Sequence, residues 1–313
     1  MTKYEIKGKK DTRSGFGVGL LEAARKNPAV VGLVADLTPS LKMGEFAKEF
    51  PERFFQCGIA EANMAGVAAG LAIAGKVPFI GSFAEFVTGR IYDQVRQEIA
   101  YGNTNVKIAS SHAGITLGED GATHQTMEDV ALMRALPNMA VVAPCDYNQT
   151  LAATKAAAEF QGPVYLRFGR PSMPIFTDEN QDFEIGKTYV MNEGGDVTII
   201  AYGHLVWPAL EAAQLLEDRG ISAEVLNVAT IKPLDKETIL ASLTKTRRCI
   251  ICEEHNQAGG LGEMIAALVL ENAVAMESFK LLNGGDRFGE SGTPAQLMAE
   301  YGFTAENIAA LAL

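Results

Sequence analysis

Four side chains suited to proton or ligand chemistry, His112, Glu119, Asp120 and His124, fall within thirteen positions of the Gly-rich stretch HAGITLGEDGATHQTMEDV, and they include two of the chain's four histidines. The stretch follows directly on NVKIASS, a strand-like run, and in parallel α/β sheets ligands collect at the carboxyl ends of strands. Glycines let such a loop turn sharply and bring backbone close to a ligand. Two His and two acids at such an edge point to a functional site, while the His and acid spacing matches no common zinc pattern. A plainer reading stands beside it, in which Thr126 and Asp129 are an ordinary helix cap. Glu61 is the one acid in the apolar run GIAEANMAGVAAGLAIAG. It reads either as a first-turn acid that complements the helix dipole or as a buried carboxyl whose raised pKa lets it exchange a proton with a ligand. In GSFAEFVTGRIYDQ, Phe83 and Phe86 share one face of a strand-to-helix junction, where two rings either fill core or sandwich a flat heterocycle.

The elements that must position these residues follow from patterning. AVVGLVA, KVPFIGS, NVKIASS, MAVVAP and GPVYLRF read as strands, and MGEFAKEF, the Glu61 segment, FVTGRIYDQVRQEIA, TMEDVALMRAL and NQTLAATKAAAEF read as helices. That alternation predicts a parallel α/β sheet with helices on both faces. Ile59, Met64, Val67, Leu71 and Ile73 recur at helical spacing among Ala and Gly, which predicts a buried helix packed closely on its neighbours. Gly66 and Gly70, four apart, allow such close contact. The interval Gly169 to Gly195, with Pro171, Pro174 and TDENQDFE, reads as a linker. A second alternation, DVTIIAYG, ALEAAQLLEDRG, ISAEVLNV, RRCIICEE, LGEMIAALVLENA, ESFKLLN and terminal helices, predicts a smaller α/β domain. The expected segments are 1–170, a linker 171–194, and 195–313.

Composition sets bounds. A chain of 313 residues, 48% hydrophobic, is long enough for two cores. A net charge of -11 opposes a broad nucleic-acid surface. Met64 to Gly75 is about half the roughly 20 residues that cross a bilayer, and no secretory leader pattern opens the chain, so the reading is cytoplasmic with no membrane partner. Cys57, Cys145, Cys249 and Cys252 lack zinc-site spacing and read as reduced thiols.

Taken together, several segments resemble the C-terminal part of transketolase. They are Ala35-Asp36-Leu37-Thr38-Pro39-Ser40, Gly58-Ile59-Ala60-Glu61, Ser82-Phe83 with Phe86, LGEDGATHQ from Leu117 to Gln125, and Leu166-Arg167-Phe168-Gly169-Arg170. They occur in family order over nearly all of the chain. The resemblance implies a thiamine-diphosphate pyrimidine-binding domain followed by a smaller transketolase C-terminal domain. It implies that Glu61 hydrogen-bonds the cofactor's aminopyrimidine and favours the imino form, that Phe83 and Phe86 surround that ring, and that Asp36 lies near it. Arg13, Ser40, His112 and Arg170 match residues that hold a sugar phosphate, while Asp120 and His124 match residues on its hydroxyls; Glu61 and His124 are the expected catalytic pair. Two departures stand out. Gly89 replaces a usual aromatic, which predicts a more open pyrimidine pocket, and no Gly-Asp-Gly occurs.

The expectation is therefore one half of a split transketolase. A separate N-terminal subunit would hold the diphosphate through Mg²⁺, this chain supplying no metal ligand, and this chain would form a homodimer within a heterotetramer. The transferred group is a two-carbon ketol unit moving between sugar phosphates. Deoxyxylulose-phosphate synthase, the beta subunit of a 2-oxo acid dehydrogenase, and a non-catalytic scaffolding paralogue are the rival readings.

Overall fold

The computed structural model describes residues 4–313, so the first three residues of the expected segment 1–170 lie outside the described residues. Unbroken apolar runs build the larger sheet, whose seven strands lie in the order Thr230–Lys232, Ala140–Val142, Val164–Arg167, Lys107–Ser111, Val77–Phe83, Val30–Val34 and Phe54–Gln56. Every residue of the four strands Val30–Val34, Val77–Phe83, Lys107–Ser111 and Val164–Arg167 is buried, as expected where helices cover both faces of a parallel sheet. The helices Thr12–Lys26 and Tyr147–Glu159 meet on one face, and glycine makes that contact possible. A Cβ at Gly15 would stand 2.3 Å from the Tyr147 carbonyl oxygen, and one at Gly19 2.8 Å from that of Leu151.

The smaller sheet orders Ser278–Leu282, Arg248–Cys252, Val197–Ala201, Ala223–Asn227 and Tyr189–Asn192. Its first four strands are parallel, and Tyr189–Asn192 closes the edge antiparallel. This is the α/β architecture the patterning predicts.

Several local expectations are corrected. The interval 171–194 is not a bare linker: Ser172–Pro174 pairs with Lys9–Asp11, and Tyr189–Asn192 belongs to the smaller sheet. The larger sheet is not wholly parallel or drawn from one half of the chain, because Thr230–Lys232 joins its edge antiparallel to Ala140–Val142. Three residues are too few to show a period. FVTGRIYDQVRQEIA is not one helix. It forms a turn Ala84–Val87, a break, then Tyr92–Gln94 running into a π-helical Val95–Tyr101; Thr88 Oγ1 donates back to the Ala84 carbonyl at 2.6 Å beside Gly89, a local bond that competes with helix continuation. The helix read in TMEDVALMRAL starts at Asp129, and Thr126 does not cap it. The Glu61–Ile73 helix buries Met64, Ala65, Ala68 and Ala69 but turns Ile73, 80% exposed, and Val67, 40% exposed, outward. Cys145, Cys249 and Cys252 are buried free thiols, and Cys57 is half-buried. Among the described residues no helix is long and apolar enough to cross a membrane.

Candidate active site

Five neighbouring strands of the larger sheet end on one edge, and the singled-out residues follow those ends. Asp36 lies just beyond Val30–Val34, Phe83 ends Val77–Phe83, His112 follows Lys107–Ser111, Arg170 comes after Val164–Arg167, and Glu61 opens the helix after Phe54–Gln56. Sheet order thus brings together segments separated by up to 157 residues. Two of the junctions need unusual backbone, with φ of 57° at Asp36 and 60° at His112. Left-handed residues other than glycine concentrate at sites where the surroundings enforce them.

The apolar side of the edge centres on the Phe83 and Phe86 rings, stacked with centroids 5.8 Å apart. His112 lies against Phe83 with centroids 3.8 Å apart, and His124 meets Phe86 edge-on at 5.3 Å. Glu61 is 5% exposed. Its Oε1 accepts from Arg90 Nη1 at 3.0 Å, and the Arg90 guanidinium also covers the Phe86 ring at 3.8 Å. Glu61, Phe86 and Arg90 line a cavity of about 130 Å³ with Asp36, Leu37 and Ile59. A guanidinium thus sits on the buried carboxyl. Sequence reasoning passed over Arg90, because the break at Thr88 and Gly89 hides which way the residue turns.

The polar side centres on Arg13. Asp11 caps the helix Thr12–Lys26 by accepting from the Ser14 amide at 3.1 Å, which puts Arg13 in its first turn. Arg13 donates to the Ser40 carbonyl at 3.2 Å and the Arg170 carbonyl at 3.2 Å, and its Nη1 stands 3.5 Å from His112 Nε2. Arg13, Ser40, His112 and Arg170 therefore converge. Burial, then the charges of Arg13, Arg170 and His124, pushes the His112 imidazole down to about 3. It is neutral near pH 7, and its Nδ1 lies 2.7 Å from Ser111 Oγ. Arg170 Nη1 donates to the Leu117 carbonyl at 2.6 Å and to Glu119 Oε2 at 2.9 Å. Asp120 is exposed on the loop and does not join this cluster through any side-chain bond among the described residues.

Glu85 is a second residue the sequence did not mark. Burial, then the charge of Glu128, pushes its carboxyl up to about 6. It borders a cavity of about 360 Å³ with Thr123, Gln125, Glu128, Asp286 and Arg287. A Cβ at Gly89 would lie 3.0 Å from Glu85 Oε1, so Glu85 occupies part of the space expected to be open there.

A flat heterocycle with ring nitrogens fits the apolar side, which offers stacked aromatic rings beside a buried carboxylate. The comparisons agree. A family model described as the transketolase pyrimidine binding domain matches residues 8–175, and one described as the transketolase C-terminal domain matches residues 186–308. The chain belongs to the transketolase family. This transketolase-family chain is 46% identical, over 96% of its length and 94% of the relative's, to a putative transketolase C-terminal section of Methanocaldococcus jannaschii. It is 43% identical to a 6-deoxy-6-sulfo-D-fructose transketolase subunit of a Clostridium species, over 92% of this chain and 89% of that one. A solved split gene transketolase, described as an inactive beta4 tetramer, superposes with a TM-score of 0.88 at 45% identity, covering 96% of this chain and 97% of the other.

Proposed function

We propose that this chain is the C-terminal subunit of a thiamine-diphosphate-dependent transketolase, which moves a two-carbon ketol unit from a ketose phosphate to an aldose phosphate. A separate N-terminal subunit holds the cofactor's diphosphate through Mg²⁺, and two copies of this chain sit within a heterotetramer. The observation that carries the reading is the buried Glu61 carboxylate beside the Phe83–Phe86 stack, on the same sheet edge as the Arg13 cluster. The split relatives support a two-subunit enzyme.

Thiamine diphosphate, when bound, supplies the electron sink needed to cleave a carbon–carbon bond next to a carbonyl. The chain's own residues do the rest. Glu61 holds and shares a proton at a pyrimidine ring nitrogen, Phe83 and Phe86 flank the ring, and Asp36 borders it. His124, held through its Nδ1 by Thr123 Oγ1 at 2.9 Å, and Asp120 meet substrate hydroxyls. Arg13 and Arg170 provide the charge for a terminal dianion, and neutral His112 and Ser40 complete that end by hydrogen bonding. The sulfo-sugar relative favours a second version of the same site, because two guanidinium groups accept a terminal sulfonate as well as a phosphate.

The purified chain with Mg²⁺ and thiamine diphosphate is expected to bind cofactor weakly and transfer no ketol unit until the diphosphate-binding subunit is added. Calorimetry and a coupled ketol-transfer assay test this. Tight binding with turnover by the chain alone would overturn it.

A further inference from the structure

The loop that carries His112, Asp120 and His124 is held from the other half of the chain. Glu254, two residues past the strand Arg248–Cys252, is 3% exposed. Its Oε1 accepts the Thr116 amide at 2.7 Å, a contact between residues 138 apart in sequence. Its main-chain carbonyl accepts Arg167 Nη2 at 2.9 Å, and Arg167 Nε is 2.7 Å from Asp129 Oδ2. Thr116 and Asp129, at the two ends of the loop's base, are thus tied to one residue: Thr116 through the Glu254 side chain, and Asp129 through Arg167 to its backbone.

The loop is shaped to receive this side chain. Gly114 has a φ of +77°, and a Cβ there would lie 2.2 Å from Glu254 Cδ. Farther along, Gln125 Nε2 donates to the Glu290 carbonyl at 2.9 Å, and a Cβ at Gly121 would meet Ser291 Oγ at 2.5 Å. Burial works against ionisation of Glu254, while the Arg167 charge and the Thr116 amide favour it. Removing the carboxyl would strand a buried amide and open a void at the loop's base, so the loop would have to move.

We infer that Glu254 is a positioning residue: its carboxyl oxygen fixes the Thr116 amide and thereby places His112 and His124 against the Phe83–Phe86 stack, with Asp120 carried on the same loop. The kinetic part of this inference rests on the proposed transketolase reading; the anchoring part does not.

Two measurements on Glu254→Ala and Glu254→Gln test it. In the chain alone, hydrogen exchange of amides 112–125 should speed up by about tenfold or more in Glu254→Ala, the loss expected when a buried acceptor goes. The strands Val77–Phe83 and Val30–Val34 should keep wild-type exchange, and Glu254→Gln, which retains an acceptor oxygen, should restore slow exchange in the loop. In the reconstituted complex, the KM for a ketose phosphate donor should rise by about tenfold or more in Glu254→Ala, again the loss of one buried contact, with thiamine-diphosphate affinity unchanged. If Glu254→Ala does not fold, Glu254→Asp makes the same comparison, since it keeps a carboxyl beside Arg167 but draws the oxygen back by one methylene. Unchanged loop exchange, or faster exchange spread evenly over the sheet, overturns the inference, as does a loosened loop with unaltered donor KM. If the wild-type complex transfers no ketol unit, the functional reading fails, and the exchange measurement still decides the anchoring.

Discussion

At Glu61 two demands meet, since a carboxylate in the first turn of a helix is also buried and shared with a guanidinium. A glutamine there still accepts from Arg90, so Glu61→Gln is expected to keep the fold and melt close to the wild type. An amide cannot share the proton, and positioned acid–base groups contribute about 10²–10⁴-fold, so ketol transfer in the reconstituted complex should fall by that order. Wild-type turnover would return Glu61 to complementing the helix dipole. Arg170 poses a different question because its guanidinium already engages Glu119 and the Leu117 carbonyl. On the proposed reading an arriving dianion would compete with Glu119, which is exposed and would give way at little cost. Arg170→Ala is expected to lower kcat/KM for phosphorylated acceptors by about 10- to 150-fold, the worth of one charge-assisted bond. The value for glycolaldehyde, which lacks the anion, should hold. Equal losses for both acceptors would assign Arg170 to structure. At this scale the sequence shows which residues carry charge or rings, and it leaves out their partners: Arg90 reaches Glu61 across 29 residues and a broken helix.

The Glu61–Ile73 helix shows what periodicity can and cannot say about an element. Its inward face, Met64, Ala65, Ala68 and Ala69, is fully covered, while Ala62, Val67, Gly70 and Ile73 face outward. Ile59, 77% exposed, extends that apolar surface just ahead of the helix. Ala and Gly on both faces read as a helix buried all round, because small residues do not distinguish a domain core from a surface awaiting another chain. The exposed face is the surface expected to carry self-association. Ile73→Lys should therefore shift sedimentation at micromolar concentration toward smaller species, with helix content by circular dichroism unchanged. An unaltered sedimentation profile would move the contact elsewhere.

For the whole molecule, buried titratable groups make stability depend on pH. Burial, then the charge of Arg167, pushes the His204 imidazole down to about 4 from its ordinary value of 6.5. Between pH 4 and 6.5 the unfolded chain therefore holds more protons at this site than the folded one. Its contribution to stability is complete above about pH 6.5 and is lost as pH falls toward 4. His112 acts with the same sign over a wider window, and Glu85, Glu253 and Glu254, raised by burial, act with the opposite sign. A variant comparison isolates one group. Urea unfolding of wild type and His204→Asn between pH 4.5 and 6.5 should differ in slope by up to about 1.4 kcal/mol per pH unit, the wild type losing more on acidification. Parallel curves would mean that His204 accepts its proton without cost in the folded chain.

Local pattern determined the order and kind of most elements: short apolar runs between helical segments read as interior strands, and the polar, Gly-rich LGEDGATHQ stretch reads as a loop beyond a strand's carboxyl end. The α/β class, with a larger and a smaller sheet, followed from that alone. Only the tertiary structure decided which residues meet. Strand order placed Arg13 beside His112 and Arg170, and the packing of one half on the other put Glu254 under Thr116. The Thr230–Lys232 strand belongs to the larger sheet because an edge was open to it there, and three residues carry no period that could announce this. Periodicity records what each residue must bury, and partners far apart in the chain are chosen by geometry that no local window contains.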